Sequence, residues 1–413
     1  MAKAIFISLP LHGHVNPSLP LVRELVARGD DVVYFANARF TARIEETGAT
    51  YRAYRDPYLS ELSTMPKKSE EIVSLLMEAT RRVLESGLDA FRAERPDYLI
   101  TDSVAPWGQW TAKILNLPVV TSIPTLAVNR SVMRYGFAQG VRPKSVGRFL
   151  SKLRYMIRAR RVQRQLRRVH GVDGPGVMDS LMGHSGLNIA YTSRHFQPCA
   201  ETFDDRFLFI GPMTSRAESA STFPWDRLPS GAQAPIVYIS LGTLFNTDAT
   251  FYRACFEAFA DMDVTVILSI GTNVPPDSLG AAPANFIVAP QVPQLAVLQR
   301  ARAFITHGGM NSVSESLSNG VPMTVVPQMG EQAIIGSRVA ELGAGICLIS
   351  DQANAARLRD SVQRLLTDDT FRHQADTIRR SFLDAGGVAR AADAIRAFTA
   401  SARNSPAGVK GSQ

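Results

Sequence analysis

Cysteine is scarce in this chain. Three residues in 413, Cys199, Cys255 and Cys347, are odd in number and far apart. That excludes a disulfide framework and the paired spacings of a zinc site, and it points to a reducing compartment. Long apolar runs are missing too. The run "AIFISLPL" (4–11) stops at His12 with one flanking Lys, short for a signal segment, and nothing approaches the roughly 20 residues of a membrane span. A cytoplasmic protein whose amino terminus is a buried first strand is expected. Neither half carries G-x-G-x-x-G after its first strand, which argues against a dehydrogenase. Acidic residues vanish from Ser103 to Val172, within a chain of net charge +8. Inside that stretch "KLRYMIRARRVQRQLRR" (Lys152–Arg168) carries eight basic residues, and Leu153, Ile157, Leu166 and Val169 are expected to mark one helical face. No nucleic-acid motif accompanies the charge. The alternatives are a solvated helix or a peripheral contact with a membrane surface or an anionic ligand.

What is present is a repeated strand–helix alternation. "KAIFISL", "DVVYFA" (31–36), "YLITD" (98–102), "LPVVTSI" (117–123) and "LNIAYT" (187–192) are apolar runs separated by helical stretches. They read as strands of a parallel sheet buried on both faces. Asn16-Pro17 looks like an N-cap followed by Pro at the first helical position. Residues 211–235 are rich in Gly, Pro, Ser and Ala without a period, a linker composition. The alternation then restarts with "PIVYISLG" (235–242), "VTVILSI" (264–270), "FIVAP" (286–290), "AFITHGG" (303–309) and "VPMTVVP" (321–327). An α/β protein of two Rossmann-like domains facing across a cleft follows. The expected division is 1–212, a linker at 213–234, a second domain at 235–385, a carboxy-terminal helix at 386–403 packing back on the first domain, and a disordered tail at 404–413. Ligands of such sheets sit beyond the carboxyl ends of strands, so the loops there carry the chemistry.

The stretch "FITHGGMNSVSESLSNGVPMTVVPQMGEQ" (304–332) crowds polar groups into two such loops. His307-Gly308-Gly309 follows a strand and opens a helix, whose bare N–H groups and positive dipole end suit a phosphate. His307 and Ser312 add side-chain donors there. Glu315 stands one turn on, on the face of Asn311 and Ser312, where a carboxylate would repel phosphate but suits the two hydroxyls of a ribose. Glu331 and Gln332 open the next helix from the same sheet edge, a carboxylate and an amide suited to a second sugar. The order of groups describes a nucleotide-sugar. In the first half, His12 and His14 lie in the loop after the first strand, and a neutral imidazole there is a suitable general base for an alcohol. "DMD" (261–263) has metal-ligand spacing but lies at the wrong end of its strand, so no metal is expected. Trp107, Trp110, Met133, Tyr135 and Phe137 suit either an apolar lining for a hydrophobic acceptor or the core, and none is assigned as a contact.

The chain from about residue 4 to 400 resembles the family 1 (UDP-glycosyltransferase-like) enzymes of the GT-B fold, and within them the bacterial macrolide-glycosyltransferase branch. The resemblance rests on "HGHVNP" (12–17), "TDS" (101–103), "SLGT" (240–243), "VPQLAVL" (292–298), "THGGMNSVSE" (306–315) and "PQMGEQ" (327–332). It implies that His14 is the base and Asp102 its carboxylate partner, with His12 lining the acceptor side. It further implies that His307, Gly309, Asn311 and Ser312 hold the diphosphate and Glu315 the ribose. Glu331 and Gln332 would then hold the hexose, Thr243 would touch phosphate or sugar, Val292 would pair its backbone with the base, and Asn16 would approach the donor. Gln291 stands where many members carry a stacking aromatic, and Glu331 where Asp is more usual. The implied activity is metal-independent, inverting transfer of a hexose, with UDP-glucose the expected donor, from a UDP- or dTDP-sugar to a macrolide, flavonoid or terpenoid hydroxyl. An epimerase of the same fold, or a catalytically silent partner protein, would share the donor segment but not need the His14–Asp102 pair.

Overall fold

A computed structural model describes residues 1–62, 69–139, 147–176, 182, 185–213, 223–228, 234–242, 248–349 and 353–404. Its first sheet contains β1 (Lys3–Ile7), β2 (Asp31–Ala36), β3 (Thr50–Ala53), β4 (Tyr98–Asp102), β5 (Val119–Ile123), β6 (Leu187–Ala190) and β7 (Phe207–Phe209) in the order β3-β2-β1-β4-β5-β6-β7. The second contains β8 (Ile236–Ser240), β9 (Thr265–Ser269), β10 (Phe286–Ala289), β11 (Ala301–Thr306), β12 (Met323–Val325) and β13 (Gly345–Cys347) in the order β10-β9-β8-β11-β12-β13. All the pairings are parallel. Central strands such as β4 are buried along their whole length, which is why they read as unbroken apolar runs rather than alternating ones.

Each sheet reverses its winding once, between β1 and β4 in the first and between β8 and β11 in the second. At such a reversal the helices on either side diverge and leave a crevice at the strands' carboxyl ends. The loops that open there are those of His14, Asp102, Gly242 and His307. Across the second reversal Tyr238 and Phe304 are register partners with stacked rings, 4.8 Å between centroids.

Six helices position the rest: α1 (His12–Ala27), α2 (Ser69–Ala93), α3 (Gly147–His170), α4 (Met310–Ser318), α5 (Gly330–Glu341) and α6 (Gly387–Asn404). The helix α1 starts at His12, four residues before the Asn16 expected as its cap, and Pro17 and Pro20 lie inside it. Asn16 is therefore helical, and its Oδ1 accepts a bond from Arg43 at 2.9 Å. Inside a helix each Pro removes one hydrogen bond and crowds the carbonyl one turn back, which is left without an intrahelical partner. For Pro17 that carbonyl is Gly13, and Asn311 Nδ2 from the other domain stands 3.5 Å from it.

The face expected on α3 is also different. Ala159, Val162 and Leu166 are buried, whereas Ile157 is 41% exposed and Val169 67% exposed. Residues 153, 157, 166 and 169 do not fall on one side of a 3.6-residue helix, while 159, 162 and 166 do. Trp107 and Trp110 are fully buried, so these two belong to the core and not to an acceptor lining. The last helix, α6, buries Ala391, Ala392 and Ile395 in the core of the first domain. Among the described residues no helix is long and apolar enough to cross a membrane.

Candidate active site

His14 lies in the first turn of α1, just beyond β1, and Asp102 is the last residue of the neighbouring β4. His14 Nδ1 is 2.8 Å from Asp102 Oδ2. The other carboxylate oxygen accepts the Val104 N–H at 2.7 Å, and Asp102 is 1% exposed. A carboxylate accepts only, so His14 carries its proton on Nδ1 and keeps Nε2 as a free lone pair. Burial pulls the imidazole pKa down, but the charge and hydrogen bond of Asp102, with Glu331 further off, outweigh it and leave the pKa above the usual 6.5. His12, two residues earlier, turns its ring edge onto Phe40 at 4.9 Å. Residues two apart on a helix point to nearly opposite sides, so only one of the two imidazoles can reach β4.

Facing this pair is the turn after β11. Gly308 has φ +84°, and a Cβ on it would stand 2.6 Å from Val325 Cγ1. Gly242, at φ +77°, and Gly309 both lie against the His307 ring, where added Cβ atoms would come within 2.6 and 2.4 Å of it. Burial drives the His307 pKa down to about 4, against a hydrogen bond to the Ser240 carbonyl, so the ring is neutral at pH 7. Its Nδ1 is buried with no protein partner. The helix α4 starts on Gly309 without a side-chain cap, which leaves its first N–H groups for a ligand. Glu315, one turn in, accepts from Gln294 Nε2 at 2.5 Å. Gln294 also reaches Ser312 Oγ at 3.4 Å and accepts from the Tyr238 hydroxyl at 3.2 Å. Gln294 lies within the motif "VPQLAVL" (292–298), but in the sequence nothing assigns it a role of its own.

On α5, Gln332 Oε1 caps its own helix, accepting from Gln328 N at 2.8 Å and Met329 N at 3.2 Å. Glu331 is exposed and accepts from the hydroxyl of Thr125, a residue in the loop after β5 of the other domain. A lone Thr in a loop carries no signal in sequence. Gln291 is exposed and Val292 partly buried before the short helix Gln294–Leu298. Thr243 lies outside the described residues. Asp261 and Asp263 stand in the turn that leads into β9, at the sheet edge opposite the site, and among the described residues no group of three or more His, Cys, Asp or Glu could hold a metal.

Two parallel sheets, each with its polar loops at a winding reversal, and a His–Asp pair facing a glycine-lined helix start describe a known architecture. Residues 253–389 match the family model for the erythromycin biosynthesis protein CIII-like, C-terminal domain. The NDP-glycosyltransferase YjiC of Bacillus subtilis is 34% identical over 95% of this chain and 96% of its own. The chain belongs to the family 1 glycosyltransferases of the GT-B fold. The demethyllactenocin mycarosyltransferase of Streptomyces fradiae is 32% identical over 96% of this chain and 86% of its own. Among solved structures, the calicheamicin glycosyltransferase CalG4 is similar at a TM-score of 0.78 and 30% identity, over 98% of this chain and 100% of that one. As a glycosyltransferase the protein has one polar loop cluster per domain, the segment 304–332 in the second and the His–Asp pair in the first.

Proposed function

We propose that this glycosyltransferase moves a hexose, glucose by preference, from a UDP- or dTDP-sugar to a hydroxyl of a hydrophobic natural product, inverting the anomeric centre without a metal. The observation that carries this reading is the His14–Asp102 pair at 2.8 Å with its acid fully buried. A binding module or a silent partner has no need for a carboxylate that fixes an imidazole tautomer. In the proposed step the acceptor oxygen, losing its proton to His14 Nε2, attacks the anomeric carbon. The bond from that carbon to the diphosphate oxygen breaks as the new one forms, and the diphosphate leaves with the electron pair. Asp102 stabilises the imidazolium. The leaving charge is met by the N–H groups of α4 and by Asn311 and Ser312. A dianion beside His307 raises the pKa of its ring, against the burial that holds it down.

Glu315 takes the ribose, and Gln294 holds its carboxylate ready. Glu331 takes hexose hydroxyls in place of the Thr125 hydroxyl, with the Gln332 amide nitrogen beside it. The backbone of Val292 takes the base, Gln291 covers it, and Thr243 and Asn16 approach the phosphate and sugar. The natural-product acceptor class follows relatives such as the demethyllactenocin mycarosyltransferase and the oleandomycin glycosyltransferase.

Two measurements test the reading. A mass-spectrometric screen of UDP- and dTDP-sugars against phenolic, macrolide and lipid acceptors, run in EDTA, should show glycosylated product with an inverted anomer. Strict manganese dependence, free sugar or epimer without an acceptor, or tight UDP binding with no turnover would each overturn it. Glu315→Ala should weaken UDP binding by roughly 10- to 100-fold, the loss typical of hydrogen bonds to a charged group. Inorganic pyrophosphate binding should be nearly unchanged. Equal losses for both ligands in titration calorimetry would move Glu315 off the ribose.

A further inference from the structure

One feature of the first domain has no part in this chemistry. The helix α3 presents a face to solvent that is almost wholly arginine. Ala159, Val162 and Leu166 bury its other side, where they cluster with Leu84 and Leu88 of α2 and with Trp110. At 100° per residue, Ile157 stands opposite that buried side, flanked by Arg154, Arg160, Arg161, Arg164 and Arg168, all exposed. The neighbouring helix offsets the charge only in part, Glu78 acting on Arg158. Among the described side chains of α2, Glu78 and Glu85 pair with Arg81 at 2.5 and 2.6 Å and Asp89 pairs with Arg92 at 2.7 Å. On α3 itself, Arg167 pairs with Asp173 at 2.9 Å. The flanking segment from Ser103 to Val172 contains no acid at all.

From this arrangement we infer that α3 is a docking face for an anionic lipid bilayer. An apolar side chain at the centre of an arginine field fits that partner in particular. Ile157 enters the acyl boundary while the guanidinium groups reach the lipid phosphates, and their methylene stems cover the apolar surface between. A nucleic acid would use the charge but leave Ile157 without a role. The contact is peripheral and electrostatic, so it depends on lipid charge and on salt. It is independent of which sugar or acceptor the enzyme uses.

Flotation of the full chain with vesicles tests it. The protein should float with phosphatidylglycerol-containing vesicles, remain behind with pure phosphatidylcholine, and be released by raising the salt. Each arginine near an anionic surface is worth about fivefold in partitioning. The variant with Arg154, Arg161, Arg164 and Arg168 all replaced by Gln should therefore lose binding on the order of several-hundredfold. Ile157→Ser should lose binding at low salt without altering the salt dependence. An unchanged circular dichroism melt would show that both variants are folded. Equal binding to neutral vesicles, full binding by the arginine variant, or no flotation together with salt-sensitive binding of random-sequence duplex DNA would overturn the proposal.

Discussion

Replacing His14 by Ala should lower kcat on the order of 10³-fold while leaving UDP affinity within a few-fold of the parent, because a positioned general base contributes that much to proton removal and touches the acceptor rather than the nucleotide. The pH profile of the unaltered enzyme should carry the same signature. Only the neutral imidazole accepts a proton. Activity is therefore present above the His14 pKa and lost as pH falls through it, and that pKa stands above the usual 6.5 because Asp102 and Glu331 outweigh burial. Steady-state rates across pH, with the melt followed by circular dichroism, check both. Near-parental turnover by His14→Ala would remove His14 from the base role.

The second large effect is expected from Asp102→Asn, a change of one atom. Asp102 serves two donors, the His14 Nδ1–H through Oδ2 and the Val104 N–H through Oδ1. Asn has one oxygen. A backbone N–H left without an acceptor costs up to roughly 1–3 kcal/mol where water is excluded, and the Val104 N–H is part-buried, so the amide oxygen stays on Val104 and the NH2 group turns to His14. That group is a donor, so Nδ1 must become the acceptor and the ring proton moves to Nε2. The nitrogen facing the acceptor alcohol then carries a hydrogen instead of a lone pair. Removing the charge also lets burial lower the His14 pKa. We expect a kcat loss approaching that of His14→Ala, and a double variant scarcely worse than either, since the two residues act as one unit. Additive losses would show that Asp102 acts by some route other than the imidazole. The tautomer itself is readable from nitrogen chemical shifts of the labelled ring.

Much of this was legible in the chain, for identifiable reasons. The long strands stand out because a parallel sheet covered on both faces demands unbroken apolar runs. β3, β7 and β13 were not legible, being three or four residues at or beside sheet edges, where neither length nor full burial marks them. The polar groups proposed to hold the donor stand out because they are local, with two consecutive strand–helix turns carrying them in order. The start of α1 departs from the sequence expectation because Asn-Pro is a common helix opening, whereas here the helix begins four residues earlier and accommodates two prolines. Gln294 and Thr125 were missed because each acts only through a distant partner, Glu315 and Glu331.

Residue order along the chain is enough to specify two α/β halves, a polar segment at 304–332 that suits a nucleotide-sugar, and a pair of candidate imidazoles, since strand periodicity and loop chemistry are local properties. The choice between His12 and His14 is not local. It depends on where α1 begins, which sets the rotation of each ring about the helix axis. It depends also on the winding reversal that lays β4 beside β1 and brings Asp102 across 88 positions of sequence to within 2.8 Å of one ring and not the other.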